Sequence, residues 1–203
     1  KWDDFHPYLY KTNDYGATWT KITDGIASND FTRVIREDPA QRGLLFAGTE
    51  TGIHVSFDEG AHWQSLRANL PAVPIHDLVV KDSDLVVATH GRSFWILDDI
   101  SPLRQIREKE HQIQQAPIFL FRPRPTERFN LSYGYSRSAK SGNYFGDTDN
   151  TQVVARRFER PGKIWLERPL NAGQNAPGGV IVYYSLAEKP EGEVKLAFLD
   201  VEG

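Results

Sequence analysis

Cysteine and methionine are both absent from the 203 residues. Without cysteine there is no disulfide scaffold and no thiolate metal or redox site. No stretch of about 18 apolar residues exists, which excludes a membrane-spanning helix. Charge of one sign is lacking too. The 24 Lys and Arg against 27 Asp and Glu leave a net charge of −3, so the basic footprint of a dedicated nucleic-acid binder is missing. There is no P-loop, no G-x-S-x-G and no H-E-x-x-H string. The six histidines (His6, His54, His62, His76, His90 and His111) show no metal-ligand spacing. No catalytic residue, metal or cofactor is therefore expected. The chain starts at Lys1 without an initiator, and the expectation is a processed or excised piece. The remaining composition, 12% aromatic and 25% charged, is that of a globular protein of one or two domains.

What is present is a repeat. Thr12-Asn13-Asp14-Tyr15-Gly16-Ala17-Thr18-Trp19 matches Ser56-Phe57-Asp58-Glu59-Gly60-Ala61-His62-Trp63 as [ST]-x-D-x-G-A-x-W, 44 residues apart. The same offset aligns Phe31 with Ile75, Val34 with Leu78, Ile35 with Val79 and Asp38 with Asp82. After a loop deletion the offset falls to 41. Leu44 to Ala47 then align with Leu85 to Ala88, Ile53 with Phe94, Val55 with Ile96 and Asp58 with Asp99. The array runs two and a half times. Val34-Ile35, Leu44 to Ala47 and Ile53 to Phe57 read as short strands between Gly, Asp and Pro turns. Four strands in about 40–45 residues is the size of a propeller blade.

Each octad carries turn chemistry. The Asp carboxylate can accept backbone N–H bonds within its own loop, Gly supplies a positive φ, and the Ser or Thr hydroxyl can brace the turn. The Trp opens the next strand and offers a large apolar surface to pack between sheets. An Asp-based ion or sugar site is the functional alternative; a hairpin staple is the reading these residue types favour. His54 and His62, around the second octad, are expected to face solvent.

The third unit decays. Asp99 keeps its place, but Ser101 stands where Gly is expected and Arg104 where Trp is expected. Ser101-Pro102 reads as an N-cap followed by Pro at the first helical position, opening a short helix that closes the array. Before it, His90 and Arg92 flank Gly91 in a loop between strands. They could bind an anionic group or a sugar, with Trp95 as a stacking platform. The favoured alternative has Arg92 tying the closing unit to its neighbour through carbonyls or through carboxylates such as Asp98 and Asp99, with Trp95 in the core.

The octads resemble Asp-boxes, the bacterial neuraminidase repeats of sialidases, xyloglucanase-type glycosidases and sortilin-type propellers. In those families the boxes lie on peripheral blade hairpins, so the resemblance implies fold and not chemistry. The run Ala88-Thr89-His90-Gly91-Arg92-Ser93-Phe94-Trp95-Ile96-Leu97-Asp98-Asp99, followed by Leu103-Arg104-Gln105, resembles the closing blade of large secreted bacterial proteins with sortilin-like repeats. That resemblance implies a secreted, periplasmic or cell-surface location.

Downstream, Ile118 to Phe121 reads as a short strand, and Arg122-Pro123-Arg124-Pro125 as extended backbone. Residues 126–152 read as an irregular loop, in which Tyr133-Gly134-Tyr135 and Asn143-Tyr144-Phe145 could cover the array or contact carbohydrate. Asp147 to Asn150 lacks a calcium-loop pattern. Val180 to Leu186 and Val194 to Asp200 alternate as two strands of a half-buried sheet. This segment resembles the start of the Ig-like domain that follows the propeller in the same bacterial family. A sandwich needs about seven strands.

The expected fold is therefore all-β. Residues 1–115 are propeller blades ending in a short helix, 116–175 a connector, and 176–203 the start of an Ig-like domain. The expected function is a non-catalytic scaffold or a protein-, peptide- or glycan-binding module, packed against the remaining blades of its parent propeller. The alternative is a piece of a glycoside hydrolase, for which Asp30, Asp77 and Glu50 are candidate acids. No convergent acid pair can be assigned from sequence.

Overall fold

The computed structural model describes residues 3–126, 155–160, 164–169, 173 and 179–199. Tyr133 to Tyr135, Asn143 to Phe145 and Asp147 to Asn150 lie outside the described residues. Among the described residues the fold is all-β with one helix. The elements are β1 (Tyr10–Lys11), β2 (Thr20–Lys21), β3 (Thr32–Glu37), β4 (Leu45–Thr49), β5 (Ile53–Ser56), β6 (Gln64–Ser65), β7 (Ile75–Lys81), β8 (Asp84–Thr89), β9 (Phe94–Leu97), α1 (Ser101–Gln115), β10 (Ile118–Leu120), β11 (Ala155–Arg160), β12 (Ile164–Pro169) and β13 (Tyr184–Leu186). Every pairing is antiparallel. β1 and β2 form a hairpin, β3-β4-β5-β6 a four-stranded meander, and β7-β8-β9 a three-stranded one.

The two meanders share one pairing register. Thr32 opposite Thr49 corresponds to Ile75 opposite Thr89, and Val34 opposite Gly48 to Asp77 opposite Ala88. Phe46 opposite Val55 corresponds to Val86 opposite Ile96. Even the register shift recurs, at Arg33 in β3 and at His76 in β7. In this register β3 maps onto β7 at 43 residues, β4 onto β8 at 40 and β5 onto β9 at 41. The sequence alignment of Val34 with Leu78 and of Leu44 with Leu85 is thus one residue out. The cause is that both faces of these strands are apolar, so like matches like on either face, while a one-residue slip exchanges the faces. Only β9, with its own alternation, aligned correctly.

The register defines a stacking direction. On the first meander Val34, Leu44, Phe46, Ile53 and Val55 face the second meander, whose Ile75, Leu78, Leu85 and Val87 close the main core with Ile100. Gly48 shows how tight the contact is. A Cβ there would lie 2.7 Å from Ile75 Cγ2 and 2.7 Å from Val34 Cγ1, closer than carbon atoms approach. The other face of the first meander, with Ala47, Leu45 and Ile35, packs with Trp63 against Leu9, Ile22 and Ile26 of the preceding hairpin. The Trp63 indole N–H donates to Ile22 O at 2.8 Å, and its backbone N–H to Asp24 O at 2.8 Å.

Trp19 occupies the equivalent place on the β1–β2 hairpin, and the expectation that it packs between sheets fails there. Trp19 is 59% exposed and Trp63 only 3%. Trp63 reaches the unit before it, and among the described residues no unit precedes Trp19.

Helix α1 follows β9 directly. Its cap is Ile100, with no side-chain cap bond from Ser101. Asp99 takes that role, its Oδ1 accepting the Ser101 N–H at 3.1 Å, while the Ser101 hydroxyl is buried without a partner. The expected Ser101 N-cap is therefore displaced by one turn residue. Leu103 packs onto the main core, and the helix lies along β5 and β6, leaving an open groove of about 400 Å³ lined by Phe57, Leu66, Ile106 and Ile113.

The last segment differs from expectation. Strand β13 pairs with β10, not with a partner at 194–200. Residues 193–199 form no strand, and Val194, Leu196 and Phe198 are all exposed. Alternation alone could not bury them without a second layer to face.

Equivalent residues should have unequal energetics. Trp63→Ala is expected to lower unfolding stability by about 3–5 kcal/mol, as for a buried aromatic, and Trp19→Ala by less than about 1 kcal/mol. Urea unfolding of the two variants reads this directly; equal losses would refute the stacking direction.

Candidate functional site

The strands have two ends, and the sequence-derived candidates divide between them. At one end lie the octads and helix α1; at the other lie the β4–β5 and β8–β9 loops.

The octads adopt one hydrogen-bond network twice. The Thr12 hydroxyl donates to Asp14 Oδ1 at 2.8 Å and accepts the Gly16 N–H at 2.8 Å. The Ser56 hydroxyl donates to Asp58 Oδ1 at 2.8 Å and accepts the Gly60 N–H at 2.9 Å. Asp14 Oδ1 accepts the Thr18 N–H at 2.8 Å, and Asp58 Oδ1 the His62 N–H at 2.8 Å. The second carboxylate oxygen takes the side chain of that same residue, the Thr18 hydroxyl at 2.6 Å or His62 Nδ1 at 2.6 Å. Tyr15 and Gly16 have φ of 57° and 95°, Glu59 and Gly60 of 61° and 91°. Both carboxylates are spent on their own loops, which is the geometry of a staple and leaves no oxygen directed at a ligand.

These bonds set the carboxylate's affinity for protons. Asp14 falls from its ordinary 3.8 to about 2, held by the Thr18 hydroxyl, then the Thr18 N–H and the Thr12 hydroxyl. For Asp58, partial burial pushes upward, but the His62 N–H, the His62 ring and the Ser56 hydroxyl together bring it below the usual range. His62 moves the opposite way, raised by its bond to Asp58, and it is exposed as expected. His54 is not. It is half-buried on β5, its Nδ1 is buried without a partner, and burial lowers its pKa against an opposing pull from Asp30.

Arg104, read in sequence only as a lost Trp, is the connecting residue at this end. Its Nε donates to Asp38 Oδ2 at 2.8 Å, one Nη to the Ser83 hydroxyl at 3.1 Å and the other to Asp82 O at 2.6 Å. Asp38 is fully buried, and its Oδ1 accepts the Ala40 and Gln41 N–H groups at 2.7 and 3.0 Å. One guanidinium thus joins the β3–β4 turn, the β7–β8 turn and the helix. Asp38 is the most buried acid of the ion pairs among the described residues, so removing Arg104 would leave a buried carboxylate without its cation.

At the opposite end, among the described residues, Arg92 does not pair with Asp98 or Asp99. Asp98 and Asp99 stand past the far end of β9, and the six residues from Arg92 to Asp98 span on the order of 15–20 Å of extended chain. Arg92 is exposed, and its carbonyl accepts the Trp95 indole N–H at 3.0 Å. Trp95 is half-buried and packs against the main core. His90 meets a residue that sequence reasoning did not connect to it. Its ring stacks on His76, centroids 4.8 Å apart and 12° between planes. The equivalent positions in the first meander are Arg33 and Glu50, which form an ion pair. The shared register shift aims both Arg33 and His76 at the next loop; only that shift could have signalled the contact, and it is invisible in sequence.

The candidate acids are all engaged. Asp30, buried, accepts from the Thr51 N–H at 3.0 Å and the Thr51 hydroxyl at 2.8 Å. Asp77 accepts from Arg36 at 2.7 Å and Glu50 from Arg33. Among the described residues no group of three potential metal ligands occurs, and no helix is long and apolar enough to cross a membrane.

No protein-family model matches the chain, and no curated protein is significantly similar to it.

Two pH effects follow. A depressed Asp14 stabilises the hairpin above its unfolded value near 3.8, and that contribution is lost as pH falls toward about 2. Asp14→Asn should flatten the acid limb of the stability curve over this window. A depressed His54 favours the folded state at and above pH about 6.5 and opposes it as pH falls further. His54→Leu should therefore retain more stability at pH 5, relative to pH 8, than the parent does. Chemical denaturation across pH checks both.

Proposed function

We propose that the hairpin and the two meanders are blades of a β-propeller, and that the protein is a non-catalytic scaffold or binding module presenting that surface to a protein, peptide or glycan. The observation that carries this reading is the pair-by-pair coincidence of the two meanders with a single stacking direction. Units that repeat in register and always cover the next unit with the same face generate a radial array. The staple geometry of the octads supports it, because the Asp-boxes then serve blade architecture.

Asp30, Asp77 and Glu50 each accept a bond from the chain itself, and no two of them are paired as a glycosidase's flanking carboxyls would be. The glycoside hydrolase alternative draws on the Asp-box resemblance and on the candidate acids Asp30, Asp77 and Glu50. The resemblance of Ala88 to Gln105 to a closing blade of secreted bacterial proteins is the ground for proposing a secreted, periplasmic or cell-surface protein, and the resemblance of residues 176–203 is the ground for proposing the start of an Ig-like domain.

Glycan-array binding together with a reducing-sugar release assay separates the readings. Binding without release is the expected result; release of reducing sugar, abolished by Asp30→Asn or Glu50→Gln, would overturn it.

A further inference from the structure

In both meanders a threonine closes the loop between the second and third strands. Thr49 donates its backbone N–H and its hydroxyl to Gly52 O, at 2.9 and 3.1 Å. Thr89 donates the same two groups to Ser93 O, at 3.2 and 2.6 Å. The second loop is therefore one residue longer, and Arg92 stands within it. Other bonds pin this longer loop. Arg92 O accepts the Trp95 indole N–H at 3.0 Å, and the His90 N–H donates to Pro74 O at 2.9 Å. Gly91 and Ser93, on either side of Arg92, have φ of 85° and 58°. A serine in the left-handed region costs conformational energy, and residues held this way collect at ligand clamps.

The two loops also differ in charge. In the first meander Arg33 grips the Glu50 carboxylate, its Nε donating at 2.8 Å, so the chain supplies its own anion. At the same two positions the second meander has His76 and His90, stacked face to face, and Arg92 follows in the same turn. Among the described residues the ion pairs that include a residue of 75–97 are Arg36–Asp77, Lys81–Asp82 and Arg124–Asp84. None of these takes in His76, His90 or Arg92, and all three are exposed. Stacking of units covers sheet faces, whereas this cluster lies at the strand ends and stays accessible when a neighbouring unit is present.

We infer that the β8–β9 loop binds an acidic sugar, its carboxylate taking on Arg92 the place that Glu50 takes on Arg33. The guanidinium fork suits a carboxylate, and the stacked imidazoles offer a flat face to the C–H side of a pyranose ring. The inference rests on the binding-module reading and narrows its ligand to a carboxylated glycan.

A glycan array carrying uronate- and sialate-bearing oligosaccharides beside their neutral counterparts tests this on the full chain, with titration of a hexaglutamate peptide as a second arm. The wild-type chain is expected to prefer the acidic sugars by about tenfold, the scale of one charge-assisted bond. Arg92→Gln should abolish that preference. His90→Glu should abolish it too, because it builds the first loop's own carboxylate into the second, while His90→Phe keeps a flat ring and should retain it. All three side-chain changes are at exposed positions and should leave the urea midpoint unchanged. Acidic-sugar binding unaffected by Arg92→Gln, or neutral sugars bound equally well, overturns the inference. Hexaglutamate bound through Arg92 with no sugar bound overturns the choice of a sugar and leaves the binding-module reading standing. Release of reducing sugar abolished by Asp30→Asn overturns that reading, whatever Arg92→Gln does.

Discussion

Side chains alternate across a strand, so each sheet in this chain offers one set of residues to the unit before it and a different set to the unit after it. Nearly everything else follows from that division. Gly48 has no side chain because Ile75 of the next sheet occupies the space. Trp63 is buried and Trp19 is not because each looks backward along the stack, and among the described residues only Trp63 has a unit behind it. A sheet with two apolar faces cannot stand alone in water, since burying one face leaves the other uncovered.

The strand ends carry the polar work that such stacking requires. Every hairpin that turns between strands exposes backbone groups that must be satisfied. The octads do this locally, with one carboxylate and one hydroxyl per turn and a glycine at positive φ. Where the octad has decayed, a longer-range device replaces it. Asp99 satisfies the first N–H of the helix, and Arg104 reaches back to Asp38 and forward to the β7–β8 turn. The helix therefore fastens two units together at the point where the repeating strands stop.

Local features were legible in the sequence and relational ones were not. The two octads, their turn chemistry and the exposure of His62 rest on residues within a few positions of each other, and the structure realises each of them. The repeat was legible, but its register was not, because Leu44, Leu45 and Phe46 are apolar on both faces and align equally well one residue either way. Pairing Arg92 with Asp98 and Asp99 used nearness in sequence, and an intervening strand turned nearness into separation. The His76–His90 stack and the Arg104–Asp38 pair join residues 14 and 66 positions apart, and nothing in composition or spacing announces them. The alternation of Val194, Leu196 and Phe198 was real, but a pattern becomes a buried sheet only when a partner layer exists.

The register is the claim on which the rest depends, and nuclear Overhauser contacts measure it without perturbing the fold. Cross-peaks are predicted between the Gly48 α-protons and the Ile75 γ2-methyl, and between the Trp63 indole and the Leu9 and Ile26 methyls, with none from the Phe94 ring to Phe46 or Val55. Cross-peaks from Phe94 or Ile96 to Phe46 and Val55 would place the other face of the second sheet against the first and contradict the account.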